Sequence, residues 1–241
     1  LVKTAFLDEE LNRRLTLTSA NSINVARFLP QSFYYFNAWA RLKAQGVIPS
    51  RELVFSVPSG NFGNLTAGLF AREMGLPVAR FLAANNCNDV VYQYLQTGKY
   101  ESRPSVETIA NAMDVGAPSN FARILDLYGN SYEKITSAMK GFRYTDEEIR
   151  QTIRSVFEQT GYLCDPHGAC GYQALTEALE ENQAGVFLET AHPAKFTETV
   201  EAVVGKGNVP LPEKLAAFVK GEKQSVPLGK SFPEFKSFLL G

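Results

Sequence analysis

The residues Ser59-Gly60-Asn61-Phe62-Gly63-Asn64 are of types that can bind an anion through the main chain. Glycines at 60 and 63 can adopt positive φ and let the backbone approach a ligand, because no Cβ intervenes. The apolar run 53–57 predicts a buried parallel strand before this loop. Asn64 predicts the N-cap of a helix that begins at Leu65. Several N–H groups and the positive end of a helix dipole would then converge on one point, which is how proteins bind phosphate.

The same loop is also compatible with a tight turn that holds no ligand, since glycines between a strand and a helix are common in α/β proteins. It is not a P-loop, because no Gly-Lys-Ser/Thr follows, and Gly60 and Gly63 lack the dinucleotide-binding spacing. The next predicted strand, 78–84, ends in Asn85 and Asn86 and not in the acidic residue that would hold a ribose. A small single phosphate therefore fits better than a nucleotide.

A second polar group follows a predicted strand at 185–189. Thr190 stands at the carboxyl end of that strand, where α/β sheets place their ligands. Its hydroxyl can donate to or accept from a ring nitrogen without fixing a proton on it. His192 and Lys195 follow on the same loop and could face an anion, although a loop of solvated polar residues is the alternative.

A third group lies near the start of the chain. Arg27 follows Asn21 and Ser22 by about one turn of a predicted helix, so that a guanidinium, an amide and a hydroxyl could meet around a phosphate or carboxylate. A surface salt bridge accounts for Arg27 equally well on the residues alone.

The run Cys164-Asp165-Pro166-His167 suggests a nucleophile and a base. Adjacent residues on a turn rarely all face one site, so we prefer a turn that positions the following helix. The 2 histidines and 3 cysteines show no ligand-spaced pair, and no metal site is predicted.

The surrounding elements alternate between strands and helices, as in α/β folds. Helices are predicted over 105–113 and 120–128, the second capped by Ser119. Thr145 and Glu148 form a capping box at the start of another helix. Only three or four strands can be found, fewer than a doubly wound sheet of this size usually has.

Composition excludes several classes of protein. The 241 residues are 45% hydrophobic, which is ample for a buried core. Lys and Arg (24) balance Asp and Glu (25), so there is no basic field to recruit nucleic acid. An odd number of cysteines argues for a reducing compartment, and no stretch has the length of a membrane span. We expect a soluble cytoplasmic enzyme that binds neither nucleic acid nor membrane.

Four runs of the sequence together resemble the threonine synthases of the longer type found in bacteria and fungi, within the fold type II family of pyridoxal-phosphate enzymes. These runs are LTSANSINVARFLPQSFYYF (17–36), VPSGNFGNLTAGLFAREMGLPVARFLAANNCND (57–89), NAMDVGAPSNFAR (111–123) and FLETAHPAKF (187–196). The resemblance implies an α/β fold of the tryptophan synthase β type, with an open twisted sheet flanked by helices, and pyridoxal 5′-phosphate as cofactor. It also implies the conversion of O-phosphohomoserine and water to threonine and phosphate, a step of threonine biosynthesis.

The resemblance assigns roles to the groups described above. The residues implied to hold the cofactor phosphate are Gly60, Asn61, Phe62, Gly63 and Asn64, and the one implied to bind the pyridine nitrogen is Thr190. The residues implied to bind the phosphate end of O-phosphohomoserine are Asn21, Ser22 and Arg27, with Lys195 as a further candidate.

One departure from the family pattern concerns catalysis. The Schiff-base lysine of the family lies in a motif like Phe-Lys-Asp upstream of the segment at 21–24, and a serine/asparagine loop grips the other side of the ring. Neither occurs in this sequence, so no catalytic residue is assigned. We expect the C-terminal part of such an enzyme, inactive alone and completed by the N-terminal part of the same protein. Residues 1–45 would be a remnant of the small domain plus the crossing helix, and residues 46–241 the large cofactor domain with a helical tail.

Two other functions stay open. Another fold type II lyase, such as a serine or threonine dehydratase, would share the glycine loop, but the second phosphate site at 21–27 argues against it. A non-catalytic module that binds a phosphorylated ligand is the other alternative.

Overall fold

The computed structural model describes residues 1–241, apart from the side chain of Val219. The strands are β1 (Glu52–Pro58), β2 (Arg80–Asn85), β3 (Met139–Arg143) and β4 (Gln183–Phe187). The helices are α1 (Val2–Leu7), α2 (Glu9–Arg14), α3 (Val25–Phe28), α4 (Ser32–Ala44), α5 (Gly63–Glu73), α6 (Val90–Thr97), α7 (Phe121–Leu127), α8 (Tyr132–Ala138), α9 (Asp146–Thr160), α10 (Pro166–Ala178), α11 (Thr197–Val204), α12 (Glu213–Val219) and α13 (Phe232–Leu240). Short 3₁₀ turns lie at Leu29–Gln31, Asn111–Met113 and Pro193–Phe196. None of the described helices combines the length and the apolar composition needed to cross a membrane.

The four strands form one parallel sheet in the order β3-β2-β1-β4. Strand β1 therefore has a neighbour on each side, as its continuous apolar run predicts. The strands predicted at 53–57, 78–84 and 185–189 are confirmed, each with shifted ends. Strand β3 was not predicted, because Lys140 and Gly141 interrupt its apolar pattern. Parallel strands end at the same edge, so the segments that follow β1 and β4 lie side by side.

Side chains alternate between two cores, one on each face of the sheet. Phe55 and Val57 point into the core formed with α4 to α8, whereas Val54 points into the core formed with α9 to α11. Tyr35 of α4 is fully buried, and its ring lies edge-on to Phe55 at 4.8 Å and to Phe81 at 5.8 Å between ring centroids. Helices cover both faces, and the predicted α/β class is confirmed.

The segment 105–113 is not the predicted helix. Only its last three residues form a 3₁₀ turn, and the rest is irregular. Side chains take up the backbone donors that a helix would use: the Val106 N–H donates to Asn88 Oδ1 at 2.8 Å, and the Thr108 N–H donates to Asp114 Oδ2 at 3.0 Å. Such side-chain partners compete with helix formation.

The predicted capping box is confirmed. The Glu148 N–H donates to the Thr145 hydroxyl at 3.4 Å, and the Glu148 carboxylate accepts from the Thr145 N–H at 2.7 Å. Helix α9 then continues to Thr160, with Gly161 in the left-handed conformation after it. The helix is thus fixed at both ends and presents Ile149 and Ile153 to the second core.

The last helix returns to the first ones. Lys236 of α13 forms ion pairs at 2.9 Å with Asp8 Oδ2 and with Glu10 Oε2 of the α2 region. Because these charges are partly exposed, the pairs contribute little stability individually.

Two buried helical glycines give opposite predictions for the same substitution. A Cβ on Gly68 would lie 2.6 Å from Phe81 Cε1 and 2.7 Å from Tyr35 Cζ. Because two core rings would have to move, we expect Gly68→Ala to lower the free energy of unfolding by about 1–3 kcal/mol. At Gly171 the nearest atoms are at 3.4 Å, so Gly171→Ala is expected to be neutral or to stabilise by up to about 1 kcal/mol. Urea denaturation of both variants measures this, and equal effects would contradict the packing described here.

Candidate functional site

The glycine loop, residues 59–64, joins the end of β1 to the start of α5. Phe62 adopts φ = 62°, a left-handed conformation that is unusual for a bulky residue. Its ring is buried and lies edge-on to Phe121, with 6.3 Å between centroids. Packing of the side chain in the core therefore holds the main chain of the loop in this strained form.

Asn64 does not cap the helix as predicted. Helix α5 begins two residues earlier than predicted, at Gly63, with Phe62 as its N-cap residue. The main-chain and side-chain oxygens of Asn64 both accept hydrogen bonds from the Tyr35 hydroxyl at 2.9 Å. Because these bonds join the first turn of α5 to α4, the Asn64 side chain supports the loop from behind.

The backbone N–H groups of residues 60–65 donate to no acceptor in the described part of the chain, and no side chain caps α5. Ser59, just before them, donates its N–H to Ala84 O at 2.8 Å and fixes the start of the loop. A Cβ on Gly60 would lie 2.6 Å from the Met113 Cα, so only glycine fits there. Free N–H groups at a helix N-terminus are the donors that a phosphate dianion needs. The loop therefore fits a phosphate group.

The Asn61 side chain ties the loop to two other segments. Its Nδ2 donates to Ser22 Oγ at 2.7 Å, and its Oδ1 accepts from the Ser119 N–H at 2.7 Å and the Ser119 hydroxyl at 2.9 Å. Asn120 adds a bond from its Nδ2 to Asn61 O at 3.0 Å. Ser119 thus bonds Asn61 and does not cap the following helix, whose N-cap residue is Asn120.

The segment 20–27 brings Asn21, Ser22 and Arg27 together beside the glycine loop. Arg27 is exposed, and its Nε donates to Ala20 O at 2.8 Å. In the described part of the chain its terminal Nη groups have no partner and it forms no salt bridge. Ser22 Oγ is 3.2 Å from the Asn21 amide oxygen, to which it donates.

Arg123 is a supporting residue that the sequence did not single out. Its Nη1 donates to Asn120 Oδ1 at 2.6 Å, and its Nη2 donates to Ile23 O at 2.5 Å. The guanidinium also lies 5.0 Å from the centroid of the Phe28 ring. Arg123 therefore joins α7 to the segment 20–27, but in the sequence it looks like any arginine on the outer face of a helix.

Thr190 is exposed and lies three residues beyond the end of β4. The Leu188 N–H donates to Ser56 O at 2.9 Å, which extends the pairing with β1 and places the following residues beside the glycine loop. His192 Nδ1 accepts from the Ala194 N–H at 3.1 Å, so this ring caps the 3₁₀ turn. Lys195 is exposed on the same turn, and no described contact joins it to the segment 20–27.

Cys164 and His167 do not form a nucleophile and base pair. Burial raises the pKa of the Cys164 thiol to about 12, which keeps it protonated and unreactive. His167 is also buried, with Nδ1 at 2.5 Å from Asp165 Oδ1. Asp165 is the N-cap of α10 and accepts the His167 N–H at 2.8 Å. Asp165 thus positions the following helix, as the preferred account expects, but Pro166 and His167 belong to the first turn of that helix and not to a turn before it.

Glu189 is a half-buried acid that no sequence pattern indicated. Its Oε1 accepts the Asp165 N–H at 2.8 Å, and its Oε2 is buried with no partner among the described residues. Burial, followed by the Asp165 charge, raises the pKa of Glu189 to about 8. A protonated carboxyl group therefore stands immediately before Thr190.

Comparison with known proteins shows the family to which this fold belongs. The profile of the family described as "Pyridoxal-phosphate dependent enzyme" matches residues 17–189, and that described as "Threonine synthase, C-terminal" matches residues 168–238. The threonine synthase of Serratia marcescens is 45% identical over 241 residues, which are 100% of this chain and 55% of that protein. The crystal structure of threonine synthase from Escherichia coli superposes with a TM-score of 0.87 at 42% identity, over 99% of this chain and 54% of that one. The structure of PLP-bound threonine synthase from Brucella melitensis gives a TM-score of 0.87 at 33% identity, over 99% and 55% of the two chains.

The chain belongs to the pyridoxal-phosphate dependent enzyme family, because that profile covers residues 17–189 of it. Its fold is that of the fold type II members, and the cofactor of the family is pyridoxal phosphate. Within this family, the three relatives described above, which match nearly the whole chain, are threonine synthases. The chain spans about half the length of the curated relatives it matches, at 55% of the Serratia marcescens protein.

The raised pKa of Glu189 predicts a pH-dependent stability. The pKa of Glu189 in the folded protein, about 8, lies above the ordinary value of 4.5. The stability that the protonated Glu189 contributes is therefore complete below pH 4.5 and is lost as the pH rises to about 8. We expect Glu189→Gln to remove this loss and to be more stable than the unmodified protein at pH 8 by about 2–4 kcal/mol. Unfolding by urea between pH 5 and pH 9 measures the difference.

The matched control is Glu158→Gln, which changes an exposed carboxylate on α9. It is expected to shift the unfolding free energy by less than about 0.5 kcal/mol at every pH. A Glu189→Gln protein whose stability runs parallel to the unmodified one from pH 5 to pH 9 would contradict the assignment.

Proposed function

We propose that the protein acts as a threonine synthase, which converts O-phosphohomoserine and water to threonine and phosphate. The observation that carries the proposal is the hydrogen bond from Asn61 Nδ2 to Ser22 Oγ at 2.7 Å. It places the glycine loop directly beside the segment 20–27. Two groups of anion-binding donors side by side suit a phosphorylated cofactor together with a substrate that carries its own phosphate.

The glycine loop would hold the cofactor phosphate. Its free N–H groups at residues 60–65 and the positive end of α5 supply the donors and the field, while the Asn61 and Asn64 side chains face away and fix the loop. Gly60 and Gly63 let the main chain approach the phosphate. The Phe62 ring anchors the loop in the core.

Thr190 would bind the pyridine nitrogen. When bound, pyridoxal phosphate supplies an electron sink for negative charge that develops on the carbon atoms of the amino-acid substrate. Thr190 is exposed beside the glycine loop, so its hydroxyl is free to accept from or donate to a ring nitrogen. Thr190 would orient the ring without deciding by itself whether the ring nitrogen carries a proton.

Asn21, Ser22 and Arg27 would bind the substrate phosphate. The Arg27 Nε is already bonded to Ala20 O, which orients the guanidinium and leaves its two terminal nitrogens for a bidentate bond to phosphate. Lys195 is a further candidate, as an exposed cation on the loop that follows Thr190.

Proton transfer at the substrate carbons needs a base, and no lysine of these 241 residues stands in the motif that carries it in the family. We infer that this lysine belongs to the remaining length of the protein and that residues 1–241 alone do not convert O-phosphohomoserine to threonine. The inference includes a division at about residue 45, with residues 1–45 as part of the small domain and the crossing helix. Residues 46–241 would form the large cofactor domain.

The proposal is tested by the substrate preference of the intact protein. We expect release of phosphate and formation of threonine from O-phosphohomoserine, with little deamination of serine or threonine. Arg27→Ala is expected to raise KM for O-phosphohomoserine roughly 10- to 100-fold, as the loss of a charged hydrogen bond predicts. Rates with unphosphorylated substrates should not change.

The matched control is Arg154→Ala, which removes an exposed arginine from the outer face of α9. It is expected to leave KM unchanged. Faster deamination of serine than release of phosphate would favour a dehydratase, and saturable binding of a phosphorylated ligand without turnover in the intact protein would favour a binding module. Either result would overturn the proposal.

A further inference from the structure

A set of polar groups, of which His167 and Asp165 are buried, runs from beside the glycine loop to the residue before Thr190. Its first member is the Ala112 N–H, which donates to His167 Nε2 at 3.2 Å. The next residue, Met113, packs against Gly60 of the glycine loop. His167 Nδ1 then bonds Asp165 Oδ1 at 2.5 Å. The Asp165 N–H donates to Glu189 Oε1 at 2.8 Å. We call Ala112, His167, Asp165 and Glu189 the buried array.

The hydrogen bonds determine where the protons of the array lie. Because His167 Nε2 accepts a backbone N–H, it carries no proton, and His167 Nδ1 is the donor to Asp165. Asp165 Oδ1 accepts from both the Nδ1 and the backbone N–H of His167. The other carboxyl oxygens, Asp165 Oδ2 and Glu189 Oε2, are both buried and have no partner among the described residues.

Two buried carboxyl oxygens without partners are costly unless a proton lies between them. The ionisable groups that face the pair are Tyr162, Cys164 and Cys170, besides Asp165, His167 and Glu189 themselves. None of these supplies a positive charge, since His167 is neutral. The side chains of Glu189 and Asp165 are within hydrogen-bond reach of each other, so a single shared proton would satisfy both oxygens and leave one net negative charge on the pair.

We propose that Glu189 is a positioning residue: the proton that it shares with Asp165 joins the end of β4 to the buried array. The array then fixes the residue before Thr190 and, through the packing of Met113 against Gly60, the glycine loop. The inference rests on the proposed function, in which Thr190 and the glycine loop bind opposite ends of the cofactor. This positioning role of the array is separate from the capping of α10 by Asp165 and from packing.

The glycine at 168 supports this role. A Cβ at Gly168 would fall on the carboxyl group of Glu189, so the first turn of α10 has room for that carboxyl group only because residue 168 is glycine. Gly168→Ala would therefore displace Glu189 without changing any charge. Gly171 lies one turn further along the same helix, where a Cβ has its nearest atoms at 3.4 Å, and Gly171→Ala is the matched control.

Amide hydrogen exchange of the cofactor-free intact protein tests the array without relying on activity. We expect Glu189→Ala and Gly168→Ala to accelerate exchange at both 188–190 and 111–113 by roughly tenfold or more, the change expected when one hydrogen bond of a connected set is lost. The exchange is measured at pH 5, where the Glu189 carboxyl group is protonated in the folded protein. Glu189→Gln can donate to Asp165 Oδ2 and accept from the Asp165 N–H, so at this pH it should match the unmodified protein, as should Gly171→Ala.

The dissociation constant of pyridoxal phosphate, measured by fluorescence, tests the consequence for the cofactor. It should rise roughly tenfold or more in Glu189→Ala and Gly168→Ala and change less than about threefold in Glu189→Gln. Faster exchange confined to 188–190, or a Glu189→Gln protein that behaves like Glu189→Ala, would overturn the inference.

Thr190→Val separates the two proposals. Unchanged cofactor affinity in that variant refutes the role proposed for Thr190, while the exchange data still decide whether the array exists.

Discussion

The structure depends on one constraint at the end of β1: the N–H groups of residues 60–65 must stay without internal acceptors and still be held rigidly. Buried or half-buried donors of this kind are normally paired. Donors without acceptors destabilise the folded chain, and burial of the Phe62 side chain offsets this. The Phe62 ring lies in the core while its backbone adopts φ = 62°. The loop therefore has the free donors that the proposed anion site needs, and the surrounding helices support it.

Each support reaches the loop from a different element. Tyr35 of α4 holds Asn64, the segment 20–27 reaches Asn61 through Ser22, and Asn120 at the start of α7 bonds the Asn61 main chain. The segment 20–27, which is proposed to bind the substrate phosphate, is itself one of these supports, so the two proposed anion sites are joined by a hydrogen bond. This coupling gives a physical reason why a cofactor phosphate and a substrate phosphate would be bound in adjacent places.

Much of the fold could be predicted from the sequence, because continuous apolar runs such as the one in β1 leave little choice but a buried parallel strand. The capping box at Thr145 was predicted for the same reason, since its residue types have few other uses. The helix predicted over 105–113 was wrong, because the side chains of Asn88 and Asp114 accept hydrogen bonds from backbone N–H groups of this segment. Neither contact has the spacing of a helix. The hydrogen bonds of Asn61 to Ser22 and Ser119 could not be predicted, nor could the contact of Glu189 with Asp165. Both depend on which segments meet at the sheet edge.

The most direct measurement of the central claim is the chemical shift of the backbone amides of residues 60–65 in the intact, ¹⁵N-labelled protein. Titration with pyridoxal phosphate should shift these amides together, inorganic phosphate should compete, and pyridoxal, which lacks the phosphate, should leave them unchanged. Tight binding of pyridoxal phosphate that leaves the amides of residues 60–65 unmoved would contradict the claim that this loop is the phosphate site.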